Sequence, residues 1–279
     1  MKKIIFSMFL SLCFVFTAVA QFDDVPQTDP NVTNKRGAYL LPDQGDFALG
    51  FDATSLLNLF QGGVSFDQTT IFGKYFLDHD RALRVKLSLG MFNEAHKDFD
   101  DDVTSIATPT PKVTDIERFS ELSLGLSLGY EMRRGHGRVQ GFYGGELGFG
   151  ISSASEKYEW GNKMSATYNP GPRPTEEKFG TTFSVGLGGF VGAEYFIAPK
   201  LSLGVELSLG LWFSSTGESE KTTESWEDNA RKTTTTKGSA GDSNFSIRSL
   251  PAFTPFKRDH EDEGQIIVPR GMIFLTFHF

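Results

Sequence analysis

Apolar residues recur at every second position along most of the chain, and only an extended strand gives side chains two apart a common face. From Gly45 onward, Phe47, Leu49, Phe51 and Ala53 alternate with Ala48, Gly50, Asp52 and Thr54. Leu83, Val85, Leu87, Leu89 and Met91 alternate with Arg84, Lys86, Ser88 and Gly90. Leu122, Leu124, Leu126, Leu128 and Tyr130 oppose Glu121, Ser123, Gly125, Ser127, Gly129 and Glu131. The same pattern sets Val139, Tyr143, Leu147 and Phe149 against Gln140, Gly144, Glu146 and Gly148. It sets Phe183, Val185, Leu187, Val191 and Tyr195 against Gly186, Gly188, Gly192 and Glu194. Leu201 to Phe213 repeats it, with Glu206 on the small-residue face. A weaker strand covers Thr70 to Leu77, with Lys74 on its polar side, and a last one runs from Arg270 to Phe279. That is eight strands of the roughly 9–11 residues that cross a bilayer.

The character of the second face separates a barrel from a sandwich. A soluble sandwich solvates one face with mixed polar residues. Here the second face is mostly Gly and Ser with isolated charges, which suits the narrow interior of a small barrel, where Gly also relieves crowding at bends. The fold expected is an all-β, eight-stranded, antiparallel up-and-down transmembrane β-barrel. Composition agrees. A mean hydropathy of −0.24 excludes a multi-spanning helical protein. With 13% aromatic residues the chain is not disordered. A formal charge of −8 leaves no basic face for nucleic acid.

Residues 1–20 read as a cleaved signal peptide: Lys2 and Lys3, an apolar stretch from Ile4 to Val19, then Ala18 and Ala20 at a small-x-small site. Cys13 is the single cysteine and falls within it, so the mature chain has no disulfide to rely on. Residues 21–44 are expected as a periplasmic N-terminal extension and 45–279 as the barrel. Short turns at 78–81, 133–137 and 198–200 alternate with longer polar stretches at about 92–118, 152–180 and 214–267, plus a shorter one at 55–66. This alternation puts the long stretches outside the cell and both termini in the periplasm, in a bacterial outer membrane. Part of the Thr-, Ser-, Lys- and Glu-rich stretch from Ser214 to Gln265 is expected to be mobile, with protease cutting first between about Thr216 and Asp242.

On that topology the descending strands end on outward rings at Tyr75, Tyr130, Tyr195 and Phe279, a periplasmic aromatic girdle. Ile273, Leu275, Phe277 and Phe279 at alternate positions resemble the C-terminal signal read by the barrel assembly machinery during biogenesis. Leu40, Leu41 and Pro42 followed by Gly45–Asp52, then Gly129, Tyr130, Glu131, Arg133, Arg134 and Gly135, then Glu194, Tyr195, Phe196, Ala198, Pro199 and Lys200, resemble a family of uncharacterised outer-membrane β-barrel proteins of Gram-negative bacteria. The architecture this implies is that of the small OmpA/OmpX-type barrels. The resemblance implies fold and location, and no activity.

Candidate chemistry is sparse. Gly125 to Gly129 spells a G-x-S-x-G elbow, yet it lies inside a straight alternating strand without the turn that motif needs. Gly144, Gly145, Gly148 and Gly150 precede no helix that could cap a phosphate. Asp98, Asp100, Asp101 and Asp102, and Asp259, Glu261, Asp262 and Glu263 around His260, read as solvated charge; a divalent ion bridging lipopolysaccharide is the alternative. His79, His96, His136 and His278 lack metal-ligand spacing. No catalytic, metal or cofactor residue is assigned, and no enzyme activity is expected.

The inward charges are the most informative set. Asp52, Lys74, Arg84, Lys86, Glu121, Glu131, Glu146, Glu194, Glu206 and Arg270 share the lumen face. Isolated charges in a narrow lumen are costly, so these should pair, Arg84 and Lys86 with Glu121 and Glu131 on the adjacent strand and Arg84 with Glu131 above all. The function expected is a structural or surface-binding barrel with a filled lumen, acting through its outer loops on an unknown ligand. Its immediate partners are outer-membrane lipid and lipopolysaccharide. The alternative is a small channel or transporter; a lipid-acting enzyme would need a convergent Ser, His and acid.

Overall fold

The computed structural model describes residues 32–33, 37–53, 69–135, 137–238, 241–248 and 270–279. The signal peptide, most of the N-terminal extension, the 55–66 stretch, His136, the acidic cluster around His260 and the side chain of Arg270 lie outside the described residues.

The described residues form one antiparallel sheet of eleven strands. They are β1 (Phe47–Asp52), β2 (Thr69–Asp78), β3 (Arg81–Asp101), β4 (Lys112–Arg134), β5 (Val139–Glu159), β6 (Arg173–Ala198), β7 (Leu201–Thr216), β8 (Glu220–Glu227), β9 (Ala230–Lys237), β10 (Ser243–Arg248) and β11 (Arg270–His278). β1 to β7 pair in order, β7 pairs with β11, and β11 pairs back to β1, so eight strands close a barrel. Hydrogen-bonded partners can be followed once around that ring: Leu201, Phe277, Leu49, Gly73, Val85, Leu128, Leu147, Leu187 and then Leu211. The path returns to β7 ten residues above its start. A stagger of this kind ties eight strands to a tilt of about 35–45° and to an interior just wide enough for side chains.

Every residue on that path faces outward. Within the eight-stranded ring the outer surface stays apolar; Leu83, Val85, Leu87, Leu89 and Met91 are each at least 40% exposed. Tyr75, Tyr130, Tyr195, Phe277 and Phe279 are also exposed, on the side of the short turns, where the Phe47 and Tyr75 rings meet at 4.9 Å. The backbone N–H of Phe279 donates to the carbonyl of Phe47 at 2.7 Å and completes the closing seam.

Beyond the barrel the structure corrects the expected loops. Residues 93–101 and 112–118 are the upper halves of β3 and β4, paired without interruption from Asn93 with Ser120 to Asp101 with Lys112. Only 102–111 connects them. β5 and β6 likewise continue through most of 152–180, leaving 160–172 as the connection. Strand pairing satisfies these backbones, so polar composition did not make them loops.

The stretch expected to be cut first, between Thr216 and Asp242, holds a hairpin, paired from Glu220 with Lys237 to Glu227 with Ala230. Asp228 and Asn229 have φ of 52° and 58°, the two positive values a type I′ turn needs. Where β7 ends opposite Thr182, β8 takes its place on β6, from Lys178 with Glu220 upward. β10 similarly takes the side of β7 that β11 leaves above Ser208. The result is a barrel crowned by a six-stranded sheet in the order β3-β4-β5-β6-β8-β9.

Candidate functional site

The lumen holds four cations and four carboxylates, Lys74, Arg84, Lys86 and Arg133 with Glu131, Glu146, Glu194 and Glu206, none more than 3% exposed. Each stands at an alternate position of its strand and therefore points inward. Lys74 and Arg84 are direct cross-strand neighbours on β2 and β3, a repulsive placement by itself. Carboxylates reaching in from β4, β6 and β7 offset it. Lys74 Nζ lies 3.2 Å from Glu131 and 3.4 Å from Glu194. Arg84 lies 2.6 Å from Glu206 and 3.4 Å from Glu131. Lys86 bridges Glu206 at 2.6 Å and Glu146 at 2.9 Å. Arg133 reaches Glu194 at 2.8 Å and Glu131 at 3.5 Å.

Arg84 and Glu131 are thus in contact, but most partners face each other across the lumen. Lys86 is served from β5 and β7. Glu121 is half-buried at the lumen mouth, opposite Phe92 and Ala154, and joins none of these eight residues in the ion pairs above. Asp52 is buried and has an interaction of its own. Arg133, read from sequence as part of a turn, is the fourth cation.

Rings pack between the charges. The Arg84 guanidinium lies 4.1 Å from the Phe190 ring centre, Lys74 Nζ 4.9 Å from Phe142, and the Arg133 guanidinium 5.2 Å from Phe76. Phe72, Phe142, Phe190 and Phe274 form a buried cluster on the lumen face, and sequence reading missed them. Their signal was parity, since Phe72 is two residues from Lys74. The inward glycines seat these rings. A Cβ on Gly50 would strike Phe72, one on Gly192 would strike Phe142, and one on Gly204 would strike Phe274. Gly186 makes room for Trp212, which is fully buried nearer the mouth. The small residues of the second face therefore serve close approach by a ring more than they serve bending.

At the short-turn end, His278 Nε2 lies 3.0 Å from Ser202 Oγ and 3.4 Å from Glu194, and Ser202 Oγ donates to Glu194. A nucleophilic triad uses both imidazole nitrogens, one toward the hydroxyl and one toward the acid. Here hydroxyl and acid meet at the same nitrogen, and Ser202 is fully buried. The trio is a cross-link. Ser127 of the G-x-S-x-G match is also buried in mid-strand, with no turn beside it. Among the described residues no group of three or more His, Cys, Asp or Glu could hold a metal ion.

Above the barrel, Tyr158 stacks on Trp160 at 5.9 Å and donates to Glu156 at 2.7 Å. Burial, that hydrogen bond, and the carboxylates of Glu156, Glu117 and Glu177 hold its hydroxyl well above the ordinary phenol range. Arg173 covers Trp160 and pairs with the buried Glu224 at 2.7 Å, which also binds Arg231 of the hairpin. The crown therefore has a small core of its own.

No family model and no curated protein matches the chain. It is similar to the solved outer membrane protein OprG from Pseudomonas aeruginosa at 10% identity, over 86% of this chain and 98% of that one, with a TM-score of 0.30. It is also similar to a major outer membrane protein from Thermus thermophilus at 16% identity, over 84% and 99%, with a TM-score of 0.35. The fold assignment rests on the closure of the ring itself.

Proposed function

We infer that the chain is a bacterial outer-membrane barrel with a side-chain-filled lumen, which holds its sheet crown at the cell surface as a structural or surface-binding element. The observation that carries this is the pairing of an apolar exterior with a charge-balanced, buried interior. A soluble protein reverses that order. From Leu203 to Phe213 the outward face of β7 is apolar over about 33 Å of strand, or about 25 Å of height at the expected tilt, which is the lipid-facing band of such barrels. The exposed Tyr75, Tyr130, Tyr195, Phe277 and Phe279 supply the rings of an interfacial girdle. Long strands and the hairpin rise from the opposite end, as extracellular elements do. Lys74, Arg84, Lys86 and Arg133 are buried together with their acids across the lumen, which favours a plug over a channel.

Deleting Phe279 removes the last outward ring and a seam hydrogen bond. The expected result is a several-fold loss of heat-modifiable, folded protein from the outer-membrane fraction, with degradation in the periplasm. Recovery of the unaltered protein folded in the soluble periplasmic fraction, without detergent, overturns the reading.

A further inference from the structure

From β3 to β6 the two faces of the crown differ in their charges. Paired residues in a sheet share a face, so the lumen-side face above the barrel continues with Glu94, Asp98, Glu117, Glu156 and Glu177. The outward face instead carries Lys97 on β3, Arg118 on β4, Lys157 on β5 and Lys178 on β6, one cation on each of four consecutive strands. All four are exposed. The ten-residue climb around eight strands amounts to about one residue per strand. With that slope removed from the register, the four cations lie at one level.

We propose that this belt binds the phosphate groups of an anionic glycolipid in the outer leaflet, an inference that rests on the outer-membrane reading. Three observations support it. Arg118 and Lys157 are direct cross-strand partners, a placement that costs stability unless an anion is shared between them. Protein carboxylates neutralise only part of the belt: Glu159 lies 3.3 Å from Arg118, and Glu176 lies 3.5 Å from Lys157 and 3.9 Å from Lys178. Glu220 is the cross-strand partner of Lys178, so three carboxylates share the face with the four cations, and none of the three pairs with Lys97 in these contacts. Height is the third. Lys97 stands six residues beyond Met91, where the unbroken apolar run on the outward face of β3 ends, which is about 15 Å along the membrane normal, and the exposed Phe99 follows above it. Between Met91 and Lys97 the outward face holds Asn93, Ala95, Ser120, Ser153 and Ser155, small and uncharged. A phospholipid places its phosphate directly at the acyl boundary, opposite this strip. A lipid whose phosphates sit on sugars beyond that boundary matches both strip and belt, and lysine and arginine stems can reach down to meet them.

The test measures binding of full-length protein, purified in a neutral detergent, to lipopolysaccharide with phosphorylated core sugars. The same material after enzymatic dephosphorylation, phosphatidylglycerol and inorganic phosphate are the comparison probes. The unaltered protein should bind the phosphorylated form at least tenfold more tightly than the dephosphorylated one. The K97Q/R118Q/K157Q/K178Q variant should lose that difference while melting at the same temperature. If that variant fails to fold, K97Q/K178Q, which leaves the Arg118–Glu159 contact intact, should lose part of it. Equal binding of the dephosphorylated form, or an undiminished difference in a folded variant, overturns the proposal. So does equal binding of phosphatidylglycerol, or displacement by millimolar inorganic phosphate, which would indicate a simple anion site. Because this readout is taken in detergent, its failure is distinct from failure of the protein to reach the outer membrane.

Discussion

Replacing Glu131 by Ala should lower the stability of the folded barrel in detergent by about 3–5 kcal/mol, the cost of leaving buried charge without its partner. Glu131 stands within 3.5 Å of Lys74, Arg84 and Arg133 and is fully buried, away from water that could take over its role. An intact buried pair adds little net stability over an apolar filling, whereas half a pair is expensive. The comparison is Glu121→Ala, at the half-exposed lumen mouth, which should cost less than about 1 kcal/mol. Thermal unfolding followed by the heat-modifiable shift on electrophoresis measures both. Equal melting of Glu131→Ala and the unaltered protein would show that the network does not hold the lumen together.

A second large effect is expected where a ring rests on a glycine. Gly204 and Phe274 are directly opposite on β7 and β11, and a Cβ at Gly204 would occupy the Phe274 ring. Gly204→Ala should cost about 1–3 kcal/mol through overpacking. Phe274→Ala should cost about 3–5 kcal/mol through the cavity it leaves beside Phe72 and Phe142. In the double variant the new methyl enters the space the ring vacated, so the combined loss should fall short of the sum by at least about 1 kcal/mol. Strict additivity would mean that the two residues do not share that volume.

The ring strands were legible because outward-facing and lumen-facing residues alternate in polarity, as Leu83 to Met91 does against Arg84 to Gly90. The same strands became illegible above Met91. There both faces are mostly polar, with Ala95 and Phe99 the exceptions, so Asn93–Asp101 reads as a loop although it is paired throughout. A signal remained in the sign of the charges, with Glu94 and Asp98 on one parity and Lys97 on the other. The β8–β9 hairpin was announced by Asp228 and Asn229 between threonine-rich runs, a turn pair flanked by β-branched residues. Inward charges could be placed by parity, and adjacency gave the Arg84–Glu131 contact, but most of the other partners could not be read. Adjacency along the chain identifies the neighbouring strand, and the partners of Lys86 come from Glu146 and Glu206 on more distant strands. The lumen rings were missed for a related reason. Phe72, Phe142, Phe190 and Phe274 are apolar residues on the face that alternation had marked as polar, and only the glycines opposite them show why they fit.

Conductance of the purified full-length protein in planar bilayers tests the filled lumen most directly. With four cations, four carboxylates and the Phe72, Phe142, Phe190 and Phe274 rings buried in the interior, no sustained single-channel openings are expected. Steady, ion-selective openings in the unaltered protein, with selectivity changed by substitution of Arg84 or Glu131, would contradict the plug and make the barrel a channel.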